Sequence, residues 1–185
     1  MEHKPSLVGT APADVLIHGP KKLYVNNYHW HSPNVGVVAS YTPRAIDVED
    51  HYGVFRGVDQ IESFGQATNA SCSAYLETIK QNCTFDHLKK ILTPLFISIG
   101  QVHFRGYLLE GETFICMGHI TFYKFRQMIC DGRIYKVPKG LDLDEYFKNY
   151  TEEKMRNYEL SEGFELVAEL FDVTGKGVKT EKYKI

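Results

Sequence analysis

The sequence predicts an α+β domain in which an antiparallel sheet wraps around one long central helix. Residues 58–80 carry apolar side chains at helical spacing over a long run. After Pro94 the pattern shifts towards alternation with a period of two. The chain also has 12 Tyr and 11 Phe residues, an aromatic enrichment that favours sheet. A lone helix needs a partner surface and a sheet has a face to cover, so the two elements fit together.

Short strands are expected before the helix, after a loose leader. The leader, residues 1–13, contains Pro5, Gly9 and Pro12. Strand candidates follow at 15–17 and 23–25, around a Gly19-Pro20 turn, and at 35–41. Residues 14–185 are thus expected to form one domain, which fits a chain of 185 residues.

The predicted helix has an unusual middle made of small residues. They are Gly65, Ala67, Thr68, Ala70, Ser71, Ser73 and Ala74. Gly and Thr lower helix propensity, so an exposed helix gains nothing from them. A helix pressed against a sheet does gain, because small side chains allow close approach. At about 1.5 Å per residue the helix is roughly 34 Å long, enough to run along a small sheet.

The second half of the chain predicts long antiparallel strands with an insertion. Strand patterns occupy 95–109, 113–126 and 128–137, and the last contains an Asp131-Gly132 hairpin signal. Residues 138–160 are rich in Asp, Glu, Lys and Asn, which is typical of a solvated helix, and we expect an insertion at about 128–160. The tail, 164–185, is expected to form two strands joined at 172–177.

Composition excludes several functional classes. Lys and Arg number 21 against 23 Asp and Glu, a formal net charge of −2, so no bulk basic field for nucleic acid is expected. No stretch supplies the roughly 20 apolar residues of a membrane helix. The first residues lack the apolar core of a secretory signal, so a cytoplasmic location is expected. Four cysteines show no metal-site spacing, and free thiols are expected.

Residues 51–67 contain the groups with the clearest chemistry. Gly57 begins the helix, where the first backbone N–H groups have no partner within the helix and stabilise negative charge on an oxygen. Glu62 lies one turn further on, and His51 lies on the approach loop. An imidazole and a carboxyl beside such a helix end are suited to removing a proton next to a carbonyl.

The pattern Gly57-Val58-x-x-Ile61-Glu62-x-x-x-Gln66-Ala67 resembles the helix start of the 3-hydroxyacyl-carrier-protein dehydratases of the hot-dog fold superfamily. The similarity covers about 100 of the 185 residues. Two departures stand out. Arg56 replaces the family's Pro, and His51 is closer to the helix glycine than the family's histidine is.

The resemblance implies a hot-dog fold and a mechanism. His51 would remove the α-proton of a 3-hydroxyacyl thioester, and Glu62, kept partly protonated by apolar surroundings, would donate to the leaving hydroxyl. The N–H of Gly57 or Val58 would bind the thioester carbonyl, and Gln66 would support the site. The resemblance further implies a substrate carried on acyl carrier protein or coenzyme A, no cofactor, and a homodimer or higher oligomer that combines catalytic residues of two subunits.

Two other functions stay open. On the same fold, Glu62 could activate water in an acyl-thioester hydrolase, or the protein could bind acyl groups without catalysis. His29 and His31, with one residue between them, would share a strand face and could hold a metal, but no third ligand is identifiable. No metal site is therefore predicted.

Overall fold

The computed structural model describes residues 6–180, so parts of the predicted leader and tail, 1–5 and 181–185, lie outside the described residues. Nine strands occur in the described range: β1 (Asn27–Ser32), β2 (Gly36–Tyr41), β3 (Val54–Phe55), β4 (Leu92–Ser98), β5 (Gln101–Phe104), β6 (Leu108–Leu109), β7 (Phe114–Lys124), β8 (Gln127–Lys136) and β9 (Glu165–Lys179). The short helices are Pro12–Val15, Ala45–Val48, Phe85–Ile91, Leu143–Phe147 and Glu152–Asn157, with a 3₁₀ turn at Glu49–His51.

Seven of these strands form one antiparallel sheet. Its order is β1-β2-β7-β8-β9, and both β4 and β5 pair with the far side of β9. Strands β3 and β6 form a separate two-stranded sheet. The predicted architecture is confirmed: the sheet encloses a helix that runs without a break through the contiguous segments Gly57–Gly65, Gln66–Ala70 and Ser71–Gln81.

Sheet glycines let the central helix come close to the sheet. A Cβ added at Gly118 would lie 1.9 Å from Thr68 Cγ2, and one at Gly132 would lie 2.3 Å from Phe64 Cε2. Real Cβ atoms do not approach other atoms so closely, so the absence of a side chain on β7 and β8 sets how near the helix lies. The close approach predicted from the small helix residues is thus confirmed, and glycines on the sheet also allow it.

The middle segment of the central helix, Gln66–Ala70, is π-helical. Within it, Asn69 Nδ2 donates to the carbonyl of Met128 at 3.1 Å and to that of Val173 at 2.9 Å. One amide therefore ties the helix to two neighbouring strands, β8 and β9. Single π turns within α-helices often occur at functional sites.

The charged segment covers the outer face of the sheet. Helices Leu143–Phe147 and Glu152–Asn157 place Phe147 and Met155 in a second core with Trp30. Both Phe147 and Met155 are buried. Residues 127–136 form β8, in the middle of the sheet, so only the later part of the expected insertion lies outside the sheet.

Other sequence expectations differ from the structure. Residues 15–17 and 23–25 are not strands, although the Gly19 turn exists, with Lys22 N–H donating to the Gly19 carbonyl at 2.9 Å. Asp131-Gly132 lies inside β8. The hairpin turns instead at Phe125 and Arg126, with φ of 52° and 63°. The tail is one strand, β9, through Lys179.

The leader is packed where the structure describes it. Leu7 is fully buried in the main core, and its backbone N–H donates to His31 Nδ1 at 3.2 Å. Residues 6–15 therefore contact the sheet through both an apolar side chain and a main-chain hydrogen bond.

Candidate functional site

A cavity of about 250 Å³ lies between the central helix and the sheet edge formed by β4 and β9. The helix contributes polar groups, and β4 contributes Pro94, Leu95 and Phe96. Strand β9 contributes the backbone at Gly175 and Gly177, which have no side chains. The lining residues are His18, Glu62, Gly65, Gln66, Asn69, Ala70, Ser73, Pro94, Leu95, Phe96, Gly175, Lys176 and Gly177. One wall is thus apolar, and the other carries a carboxylate, an imidazole and amides.

Glu62 faces this cavity from the second turn of the helix. Its Oε1 accepts a hydrogen bond from Gln66 Nε2 at 2.8 Å and lies 3.4 Å from His18 Nε2. The His18 imidazole beside it lowers the pKa of the Glu62 carboxyl below its usual value; burial opposes this, and the hydrogen bond from Gln66 adds to it. This direction runs against the partial protonation that the resemblance implies for Glu62, because its polar partners outweigh the apolar surroundings.

Gln66 is a buried amide with every polar atom in use. Its Oε1 accepts from the Tyr24 N–H at 2.8 Å, and its Nε2 donates both to the Lys22 carbonyl at 2.8 Å and to Glu62. Ser63 Oγ adds a bond to the Tyr24 carbonyl at 2.7 Å. The irregular segment before β1 is therefore held along the helix, and the Glu62 carboxylate is held in one orientation.

The start of the helix lies apart from the cavity. Gly57 lies under the ring of Phe104, since a Cβ on Gly57 would be 2.7 Å from Phe104 Cζ. Val58 is 62% exposed, and neither Gly57 nor Val58 is among the lining residues. Arg56 Nε pairs with Asp59 Oδ2 at 2.6 Å.

His51 and Glu62 are not brought together within one chain. His51 is exposed in the 3₁₀ turn, where its Nδ1 lies 3.2 Å from the Val54 carbonyl oxygen. It lines a different cavity, together with the basic residues Lys21, Lys22 and Arg56. The histidine that does face Glu62 is His18, which sequence analysis missed. Only its position before the Gly19-Pro20 turn distinguishes it in the sequence, and that position signals no chemistry.

His29 and His31, which were expected to share a strand face, have different partners in the structure. His29 contacts Ser40 and Asp144, whereas His31 contacts the Leu7 N–H and the ring of Tyr75. Within residues 6–180 no group of three or more His, Cys, Asp or Glu side chains is placed to hold a metal ion. Over the same range no helix has both the length and the apolar character needed to cross a lipid bilayer.

Comparison with known proteins identifies the fold. No protein-family model matches the sequence, and no curated protein sequence matches it. Among solved structures, the dehydratase heterocomplex ApeI:P from Xenorhabdus doucetiae superposes with a TM-score of 0.62 at 9% identity, over 92% of this chain and 93% of that one. A thioesterase family protein from Silicibacter pomeroyi superposes with a TM-score of 0.50 at 10% identity, over 83% and 84%. The chain therefore has the hot-dog fold predicted from its helix motif.

Proposed function

We propose that this protein acts on acyl thioesters and dehydrates a 3-hydroxyacyl thioester to the 2-enoyl form. The observation that carries the proposal is the placement of the Glu62 carboxylate in a cavity with an apolar wall, beside the π-helical turn of the central helix. An acyl chain fits the apolar wall, and a carboxylate is a suitable proton acceptor next to a thioester carbonyl. The presence of a dehydratase among the hot-dog structures that superpose supports the same reading.

The role of Glu62 follows from its environment. Because its pKa is lowered, Glu62 is ionised at neutral pH and suits the accepting role, the reverse of the donating role that the family resemblance implies. It takes the α-proton from C2, the C–H electron pair forms the double bond to C3, and the C3–O bond breaks. A proton donor must then protonate the departing oxygen to release water. The family resemblance gives His51, from a second subunit, the opposite role, that of removing the α-proton.

Thioester hydrolysis is the second candidate function. An ionised carboxylate is also the form that removes a proton from water as the water attacks a thioester carbonyl. The ionised form of Glu62 is compatible with this role as much as with α-proton removal, and the structures that superpose include a thioesterase family protein. Both reactions use the same cavity and neither requires a bound cofactor.

We further propose that the protein forms a homodimer through the β4 edge. Leu95, Phe96 and Ile97 are 38%, 42% and 54% exposed on β4, which pairs only on its β9 side among the described strands. A long apolar edge strand is a template for pairing with another chain. Because β4 also forms a cavity wall, a second subunit there would lie beside the site. Sedimentation velocity tests this: Ile97→Lys should give a monomer.

The activity is tested with a panel of 3-hydroxyacyl thioesters of coenzyme A and of acyl carrier protein, from short to long chains. We expect loss of water, measured by mass spectrometry, and a decrease of about 100-fold or more in Glu62→Gln. The exposed Glu49→Gln is the matched control and should keep full activity. Release of free thiol without enoyl product would replace dehydration by hydrolysis. A panel without any product would reject enzymatic activity in favour of acyl binding.

A further inference from the structure

His18 is held at the cavity by the segment that precedes β1. Leu16 is buried in the main core, and the Gly19 turn closes through the Lys22 N–H. Gln66 then fixes the Lys22 carbonyl and the Tyr24 N–H against the central helix. The imidazole is therefore anchored on both sides in the chain, although the segment has no regular secondary structure.

The polar contacts of His18 are confined to the site. Its Nε2 lies 3.4 Å from Glu62 Oε1, and both side chains line the cavity, with His18 22% and Glu62 34% exposed. Its Nδ1 is buried with no hydrogen-bond partner among the described residues. A buried ring nitrogen without a partner costs stability. The His18 imidazole therefore adds little to the stability of the fold. Residues that break a local rule of polar pairing are expected at functional sites.

We propose that His18 is the second acid–base residue of the Glu62 site, provided by the same chain that provides Glu62. This inference rests on the proposed dehydration. In the imidazolium form, Nε2–H faces the cavity beside the carboxylate. Glu62 accepts the α-proton, Nε2 gives its proton to the oxygen leaving C3, and water departs. The proton on Glu62 then crosses to Nε2, which restores both groups without any co-reactant.

The chemistry separates the two roles, so the experiment measures them separately. The probes are a saturated acyl-coenzyme A, which reports α-proton exchange in D₂O, and the 3-hydroxyacyl-coenzyme A of the same length, which reports elimination. Exchange requires only the Glu62 carboxylate, whereas elimination also requires a proton for the leaving oxygen. The variants are His18→Gln and His18→Asn, with Glu62→Gln and His51→Gln for comparison and the exposed His87→Gln as the control.

We expect His18→Gln to lose about 100-fold or more in elimination and to keep α-proton exchange and the thermal unfolding temperature. Glu62→Gln should lose both reactions, and the exposed His87→Gln should lose neither. His18→Asn provides the same test if the Gln variant unfolds, because it removes the same proton donor with a shorter side chain.

Three results would overturn the inference while leaving dehydration intact. They are wild-type elimination in a folded His18 variant, loss of exchange together with elimination in that variant, and loss of elimination in His51→Gln. A wild-type protein that neither exchanges nor eliminates on any chain length of the panel would instead reject the proposed function, and the role of His18 with it.

Discussion

Two histidine–carboxylate pairs lie on opposite faces of the sheet and differ in how fully their atoms are used. On the helix side, His18 Nε2 faces Glu62 at 3.4 Å and Nδ1 has no partner among the described residues. On the outer side, His29 Nδ1 lies 2.5 Å from Asp144 Oδ1, and Nε2 lies 2.8 Å from Ser40 Oγ. The first pair leaves one ring nitrogen of its histidine unpaired, whereas the second uses both ring nitrogens.

The outer pair shows that connectivity alone does not make a catalytic site. Ser40, His29 and Asp144 are joined in the atom order of a serine nucleophile, its base and an orienting carboxylate. Yet Ser40 is only 5% exposed and does not line the cavity that His29 and Asp144 line. The arrangement attaches the helix Leu143–Phe147 to β1 and so holds the insertion on the sheet. Both pairs line a cavity; the outer pair differs in that the hydroxyl it contacts is buried and both ring nitrogens of its histidine are already paired.

The largest expected effect is on the pH dependence of stability, and it comes from His31, a histidine without a carboxylate partner. Burial lowers the pKa of His31 to about 4, from 6.5. The unfolded chain therefore binds more protons between these values, so this contribution to stability is complete above pH 6.5 and is lost as the pH falls towards 4. It amounts to about 3 kcal/mol in the free energy of unfolding. Urea unfolding across this pH range measures it.

His31→Gln is the matched variant, since its amide can still accept the Leu7 N–H. Its free energy of unfolding should vary less with pH over the same range. If the free energy of unfolding has the same slope against pH in the variant and in the wild type, His31 does not cause the acid sensitivity. Burial of a histidine without a carboxylate partner then does not make the protein sensitive to acid.

Removing the outer imidazole should have the next largest effect. His29→Ala leaves the Ser40 hydroxyl buried without its partner and should lower the free energy of unfolding by about 2 kcal/mol. His18→Ala should cost under about 1 kcal/mol, since the ring is partly exposed and has one polar partner. Chemical denaturation at neutral pH compares the two directly. A larger loss for His18→Ala would reverse the assignment of structural and chemical roles.

The carboxylate of the outer pair should matter less than its imidazole. The Asp144 side chain is 79% exposed, so solvent screens its charge, and Asp144→Asn retains an oxygen that accepts from His29 Nδ1. We expect a loss of under about 1 kcal/mol. A loss as large as that of His29→Ala would mean that the charge itself, and not the attachment of the insertion, stabilises the outer face.

Glu62→Gln should have a similarly small effect on stability and a large effect on activity. Because the pKa of Glu62 is lowered, its ionic contribution is present above pH 4.5 and is lost as the pH falls through the folded-state value. Partial exposure limits that contribution to under about 1 kcal/mol at neutral pH. Thermal unfolding of the variant and the wild type should converge in acid. A strongly destabilised variant would indicate a structural carboxylate.

The sequence predicted the central helix because helical spacing is a local pattern. That spacing predicts a helix over 58–80, and the structure has one over 57–81. Glu62 follows from the same local motif, and its catalytic role stays a prediction. The hairpin turn predicted at Asp131-Gly132 is wrong for a physical reason. Gly132 lies inside a strand and leaves room for the Phe64 ring, and the turn is formed by Phe125 and Arg126. Tertiary packing therefore outweighs the local turn propensity of Asp131-Gly132.

The partner of Glu62 could not be found in the sequence. His18 reaches the cavity only because Gln66 and Ser63 fix an irregular segment along the helix, and those hydrogen bonds exist only in the folded chain. The resemblance drew attention to His51 instead, since it lies on the approach loop of the motif. Because His18 lies in a segment without regular secondary structure, no helical or strand periodicity in the sequence indicates where its side chain points.

Three glycines of the sheet set the position of the helix that carries Glu62. Gly118, Gly132 and Gly175, on three adjacent strands, contact Thr68, Phe64 and Asn69 of the helix that carries Glu62. A single methyl group at any of them would displace the helix rather than fill a void. Mutational sensitivity of this protein should accordingly extend to sheet positions that do not line the cavity, such as Gly118 and Gly132, where adding one methyl group would shift Glu62 relative to the cavity wall.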